Sequence, residues 1–466
     1  MPPESLLPDH IARRWEQEWR QLCRASLPIR PAGSIWWFSR KKNRHDPPQG
    51  WKLHISATIL SAVRIFSLIT PCLQRHQALF KAPHSLAELH KLNSGVEYGF
   101  SQVGKFVTIY PPTTAAAVAL ADELHRLTAR EPAPVVAYDE PWRSPSCVYY
   151  RYGQFYFGPT VQVRDQSVPA ITRPDGRLVP CRREPGAAVP RWLTNPFRPR
   201  WSAANQVAGT PLEKRYGNYQ AIVQRGRGGV YQALDLHFVP AQRCILKEGR
   251  RHGETDWLGR DGIDRVRREA EFLRAVAPVC RGLPRLRTTF RAHGSFYLVM
   301  EPVAGRNLHT ILAGRERLST RRSLTYCLEM ARIVADIHAA GWAWLDCKPA
   351  NFLCGCDHRL CALDFEGACR QDRPDPLRIA TPGYLPPQWA LANPQADDLY
   401  ALGASLAQVI AHSDLPPGGS IAAFASGPLV PAPLARLIRN LRHADPSMRP
   451  TARTAQQLLE QVLGGV

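Results

Sequence analysis

The stretch Trp344-Leu345-Asp346-Cys347-Lys348-Pro349-Ala350-Asn351 puts an aspartate, a lysine and an asparagine within a few residues, and a second aspartate follows in Asp364-Phe365-Glu366. Carboxylate and amide oxygens are hard ligands that suit magnesium, and a positioned aspartate can take up a hydroxyl proton. Upstream, Gln224-Arg225-Gly226-Arg227-Gly228-Gly229-Val230-Tyr231 lies at the turn of a hairpin read over about 218–236. Glycines there let backbone N–H groups approach a phosphate. Cys244-Ile245-Leu246-Lys247 reads as the next strand, Arg268-Glu269 with Leu273 as part of the following helix, and Tyr297-Leu298-Val299-Met300-Glu301-Pro302 as a strand leading into a connecting segment. Taken singly, Lys247 and Glu269 are ordinary surface residues. Their place in one ordered series excludes that reading.

This series, over residues 215–463, resembles the eukaryotic-like Ser/Thr protein kinase domain, a bilobal fold that transfers phosphate from ATP with Mg²⁺. The resemblance implies that Gly226, Gly228 and Gly229 cover the phosphates and that Lys247, paired with Glu269, contacts them. It implies Glu301 in the adenine hinge, Asp346 as the catalytic aspartate, Lys348 at the γ-phosphate, and Asn351 and Asp364 as metal ligands. Ala380 to Gln388 looks like the end of an activation segment, Asp398 to Gly403 like the buried helix behind it, and Asp445 to Pro450 like the last structural arginine motif.

Three departures bear on regulation. Trp344-Leu345 replaces the usual His-Arg before the catalytic aspartate, removing the arginine that would meet an activation-loop phosphate, so activity without loop phosphorylation is expected. Gln388 stands where a glutamate would pair with Arg449, leaving a neutral hydrogen bond at best. Val223 and Arg225 occupy the first two glycine positions of the turn, which bears on nucleotide affinity rather than chemistry.

The first half reads as an α+β domain. Strand-like runs (Trp51 to Thr58, Lys105 to Tyr110, Cys147 to Phe157) alternate with helix-like ones (Ser61 to Gln77, Ser85 to Leu92, Thr114 to Ala129), and residues 10–26 suit an amphipathic helix at the domain edge. Prolines recurring from Pro169 to Pro199 disfavour helix interiors and central strands, so 165–205 reads as a linker between a domain over 1–164 and a kinase domain over 206–466.

Lys52 and His54, two apart on a strand, share a face, and Lys81 and Lys105 lie on or beside strands that can converge with them. Eliminating phosphate from a phosphoserine or phosphothreonine needs a base for the α-proton, an acid for the leaving phosphate and positive charge for the developing enolate. Such a set meets those needs. The ordered series Gln49 to Thr58, Ala78 to Lys81, Leu92 to Gly95, Gly104 to Pro111 and Tyr150 to Gly153, with Arg183-Glu184-Pro185 and Asn195-Pro196-Phe197, resembles the N-terminal lyase region of class III and class IV lanthionine synthetases over residues 36–200. The resemblance implies a phosphothreonine-lyase-like fold with Lys81 as base, His54 as acid, and Lys52, Lys105 and Arg151 holding phosphate or enolate.

The expected function is therefore phosphorylation of Ser or Thr in a ribosomal peptide followed by phosphate elimination to dehydroamino acids, with a separate cyclase acting afterwards because little chain follows Arg449. Two alternatives stay open: a signalling kinase whose first domain only docks a partner, and a pseudokinase scaffold, against which Lys247, Asp346, Asn351 and Asp364 argue. The formal charge of +21 attracts acidic partners of any kind. Without aromatic and basic residues interleaved at a recognisable spacing, nucleic acid is not expected. The twelve cysteines form no paired framework and Met1 begins no secretory pattern, so a cytoplasmic protein is expected. Packing in the kinase fold, rather than zinc, accounts for Cys347, Cys354, Cys356 and Cys361. The apolar run from Ile55 to Thr70 is interrupted by Arg64 and too short for a membrane span.

Overall fold

The computed structural model describes residues 6–155, 158–197, 211–314, 318–375, 381, 383–387, 392–412 and 431–465. Helix α1 (Leu6–Ser26) opens the chain, followed by β1 (Trp36–Phe38), β2 (Gln49–Ile55), α2 (Ala62–Arg75), β3 (Leu79–Pro83), α3 (Leu86–Ser94), β4 (Val107–Tyr110), α4 (Thr114–Thr128), β5 (Glu140–Pro141) and β6 (Val148–Gln154). The six strands form one sheet in the order β1-β3-β4-β2-β6-β5. Alternation along β2 sends Trp51, Leu53 and Ile55 into a core shared with Ile65, Phe66, Leu120 and Leu124 of α2 and α4, leaving Lys52 and His54 on the other face. Ser85 caps α3 by accepting the Glu88 N–H, and Gly95 ends it at φ 70°, a conformation open to a residue without a Cβ.

Two parts of this domain differ from the sequence reading. Helix α1 is no edge element: Trp19 and Cys23 are fully buried, and the Trp19 ring meets Phe66 edge-on at 4.9 Å. The proline-rich stretch read as a linker carries β8 (Gln166–Thr172) and β9 (Leu178–Pro180), which pair in a small sheet with β7 (Thr160–Val163). Its Phe197 stacks on Tyr150 at 4.0 Å within the first domain's core. Proline excludes a residue from donating in a ladder but not from a ladder's end: Pro169 of the middle strand β8 is the last residue paired with β7, and Pro180 is the last residue of the edge strand β9.

The second half begins with α5 (Pro211–Arg215) and a sheet of β10 (Tyr216–Arg225), β11 (Gly228–Asp235), β12 (Gln242–Gly249), β13 (Leu286–Ala292) and β14 (Ser295–Met300), ordered β10-β11-β12-β14-β13. Helix α6 (Gly262–Val276) packs on it; Asp261 and Asp264 form a reciprocal capping box that fixes its start. A mainly helical lobe follows, with α7 (Leu308–Leu312), α8 (Thr320–Ala339), α9 (Pro394–Ala411), α10 (Ala432–Leu441) and α11 (Ala452–Gly464) around a core that includes Trp344, Phe352 and Phe365.

The halves touch at the glycine-rich turn. The Gly226 N–H donates to the Ser94 carbonyl at 2.9 Å, the Arg250 guanidinium lies 5.0 Å over the Phe100 ring, and Trp257 packs against the first domain's core. Among the described residues no helix is long and apolar enough to cross a membrane.

Candidate active sites

In the kinase half a cleft of about 470 Å³ is lined by Gly228, Gly229, Lys247, Glu269, Glu301, Asn351 and Asp364. Lys247, on β12, reaches Glu269 of α6 at 2.6 Å and Asp364 at 2.8 Å. A third carboxylate, Glu366, stands 2.9 Å from the same ammonium and 3.0 Å from Arg227 of the glycine turn. In the sequence the signal for Glu366 is only an acidic side chain directly after Asp364-Phe365. Burial raises the Glu269 carboxyl to about 7, with the Lys247 cation opposing and the neighbouring carboxylates adding to it. Burial would also raise Asp364, but Lys247 and Arg227 outweigh it and hold that group below the usual carboxylate range. The Phe365 ring stacks on Phe272 of α6 at 4.4 Å, so the helix carrying Glu269 and the segment carrying Asp364 are packed together.

Asp346 and Asn351 are joined directly: the Asn351 amide donates to Asp346 Oδ2 at 2.6 Å, and Lys348 Nζ reaches the same oxygen at 2.7 Å. Thr381 donates to Asp346 Oδ1 at 2.8 Å. Burial raises the Asp346 carboxyl, with Lys348 opposing. The loop keeps its shape because the buried Asp398 of α9 accepts the Trp344 and Leu345 N–H groups at 2.6 and 2.5 Å. Asn351, with its amide nitrogen spent on Asp346, and Asp364 supply hard oxygens fitted to Mg²⁺, which would neutralise phosphate charge when bound.

Gly226 is a correction. It does not line the cleft, because its N–H is spent on Ser94, and a Cβ there would stand 1.6 Å from the Asn93 carbonyl oxygen. Its glycine serves a backbone approach between domains. Arg449 donates to the Ala396 and His443 carbonyls at 2.7 and 2.9 Å and lies 3.7 Å from Asp397. Its expected partner Gln388 lies outside the described residues.

In the first domain, register places Phe38, Lys81, Thr108, His54 and Tyr149 in one row across the sheet, and pairs Lys52 with Arg151 in the next row. Directly opposed residues share a face, so the candidate cluster is built by sheet pairing. Lys52 and Lys81 open into a cavity of about 800 Å³ that Trp36, Arg40, Cys181 and Arg183 also line. Lys81 Nζ sits 4.1 Å over the Trp36 ring. His54 and Lys105 are not among the lining residues. They meet at Asp139, whose side chain is 0% exposed: its carboxylate lies 2.5 Å from His54 Nδ1, 3.6 Å from Lys105 Nζ and 3.5 Å from Arg151.

Desolvation lowers Lys52 and Lys81 to about 7 each, and nearby cations push the same way. It lowers Lys105 to about 8, against the pull of Asp139. His54 falls to about 3, because burial outweighs Asp139, while Asp139 itself is held at about 2 by His54 and Lys105 despite its burial. Asp139 escaped the sequence reading: it lies in an irregular segment after α4 with no period or motif around it.

The family described as protein kinase domain matches residues 225–462, and RamC, N-terminal domain, matches residues 26–232. The chain belongs to the protein kinase family. Ahead of its kinase domain it carries a RamC-type N-terminal domain, and the match to that domain runs through the proline-rich stretch into the glycine turn. A probable SapB synthase of Streptomyces coelicolor is 30% identical over 384 residues, covering 78% of this chain and 40% of that protein. The serine/threonine-protein kinase PknA of Nostoc sp. is 26% identical, covering 41% of this chain and 36% of its own length, and serine/threonine-protein kinase B of Synechocystis sp. is 28% identical, covering 45% and 39%. The chain thus spans two-fifths or less of the length of these relatives.

Proposed function

We propose that this kinase phosphorylates Ser or Thr side chains of a ribosomally made peptide in the cytoplasm and that its N-terminal domain then eliminates the phosphate to leave dehydroalanine or dehydrobutyrine. The observation that carries the second step is the cavity in which Lys52 and Lys81 stand beside Arg183 with ammonium groups brought down to about 7. An amine titrating there is free at neutral pH to accept a proton, and the remaining cations hold phosphate.

In the elimination, Lys81 takes the α-proton, that C–H electron pair forms the α,β double bond, and the Cβ–O bond breaks to release phosphate. Asp139 engages His54 through Nδ1 and leaves Nε2 to carry a proton. A phosphate dianion arriving beside Lys52 offsets the cations that add to burial in holding His54 neutral, so substrate itself raises the acid's proton affinity. In the kinase half, ATP is the phosphoryl donor, Asp346 orients the hydroxyl and Lys348 sits beside it.

One observation favours the second reading, a signalling kinase with a docking domain: His54 does not open onto the cavity. The readings separate by mass. With ATP, Lys81→Ala is expected to accumulate phosphorylated peptide where the unmodified chain yields product lighter than the starting peptide by one water. Equal product from both would remove Lys81 from the mechanism.

A further inference from the structure

The activation segment begins at Asp364 and includes Asp375. Asp375 is buried, with 6% of its surface exposed, an unusual position for a carboxylate so near a surface segment. Among the described residues, two arginines meet it. Arg268 on α6 and Arg260, just ahead of that helix, both donate to Asp375 Oδ2. Arg260 is itself fixed: its Nε donates to Asp256 Oδ2 at 2.7 Å, and Asp256 Oδ1 accepts the Leu258 and Arg260 N–H groups.

Arg268 is the immediate neighbour of Glu269, whose pairing with Lys247 at 2.6 Å depends on where α6 sits. A negative group in the activation segment that holds two arginines of this helix region does what a phosphate does when it orders such a segment. The loop meanwhile has Trp344-Leu345 where an arginine for that phosphate is expected. We infer that Asp375 is a positioning residue that serves as a permanent substitute for activation-segment phosphorylation, holding α6 through Arg268 and Arg260 so that Glu269 engages Lys247 without any prior modification. The inference rests on the kinase half alone and is independent of phosphate elimination.

The test reads ADP formed from magnesium-ATP by the purified full chain, with and without dephosphorylated casein, a readout indifferent to what later happens to the phosphate. Phosphatase-treated wild type, shown unphosphorylated by intact mass, should match untreated protein within twofold. Asp375→Asn should lower kcat tenfold or more, and Asp375→Glu should restore it to within about threefold. Because Asp375 acts through Glu269, Glu269→Gln should cost far less in the Asp375→Asn background than in wild type. Should Asp375→Asn fail to fold, Arg268→Gln reads the same link from the helix side, with the same non-additivity. The inference is overturned by a kcat within twofold of wild type for Asp375→Asn, by losses that multiply with Glu269→Gln, or by an unphosphorylated wild type that forms no ADP.

Discussion

The Gly226 N–H donates to the Ser94 carbonyl, so the turn that covers the nucleotide cleft is anchored on the N-terminal domain by a backbone contact. Asn93 keeps that anchor in place: its side-chain amide donates to the Ala57 carbonyl at 2.9 Å and its Oδ1 accepts the Gly104 N–H at 3.3 Å. The nucleotide cleft and the N-terminal domain are therefore joined through one continuous backbone framework.

Gly226→Ala tests the anchor. A Cβ 1.6 Å from the Asn93 oxygen has backbone to displace, so the substitution should cost about 2 kcal/mol in stability, within the range of overpacking. Because the same turn covers the cleft, the KM for ATP should also rise. Thermal denaturation and ATP kinetics check the pair; an unchanged melting temperature would contradict the contact.

Asp139→Asn tests the buried hub of the first domain. An amide leaves Lys105 and Arg151 without their shared anion, a loss of about 3 kcal/mol by the usual cost of breaking a buried pair. Lys105 should then titrate below its present value of about 8, because Asp139 is the group that opposes its desolvation. Calorimetry reads the first effect and NMR titration of the lysine the second.

Elimination should depend on pH through Lys81. Below about 7 its amine is protonated and cannot accept the α-proton, so the rate should fall about tenfold per pH unit there and level off above it. Stability should depend on pH through Lys81 and Lys52. In the folded chain Lys52 and Lys81 lose their protons near 7, whereas the unfolded chain keeps them to about 10.5. Unfolded protein binds more protons in that window, so stability should rise from pH 7 towards 10 relative to a Lys52→Met, Lys81→Met variant.

Asp346→Asn should separate the two chemistries. Phosphorylation should fall by about a hundredfold or more, while elimination from peptides already phosphorylated stays within twofold. Phosphopeptide turnover measured without ATP checks this, and parallel loss of both activities would contradict it.

Much of this site was legible in the sequence for a physical reason. Asp346, Lys348 and Asn351 meet within one loop, so covalent spacing alone fixes their convergence, and Lys52 with His54 follows from the two-residue period of a strand. Register is different. Lys81 joins the row of His54 through Thr108, a pairing that no local pattern in the chain announces. Asp139 and Asp375 are further from view, since each lies in irregular chain and gains meaning only from cations brought to it by the fold. The prolines from 165 onward misled because proline reports what a residue cannot donate, and the ends of short ladders, where Pro169 and Pro180 lie, meet that limit as well as a linker does.

The most direct measurement gives the purified full chain, without ATP, phosphoserine and phosphothreonine peptides and follows inorganic phosphate release together with peptide mass. The expected result is loss of phosphoric acid to leave a dehydroamino acid, abolished by Lys81→Ala. Intact phosphopeptides, from a protein whose kinase activity is unimpaired, would contradict it and leave a kinase with an N-terminal docking domain.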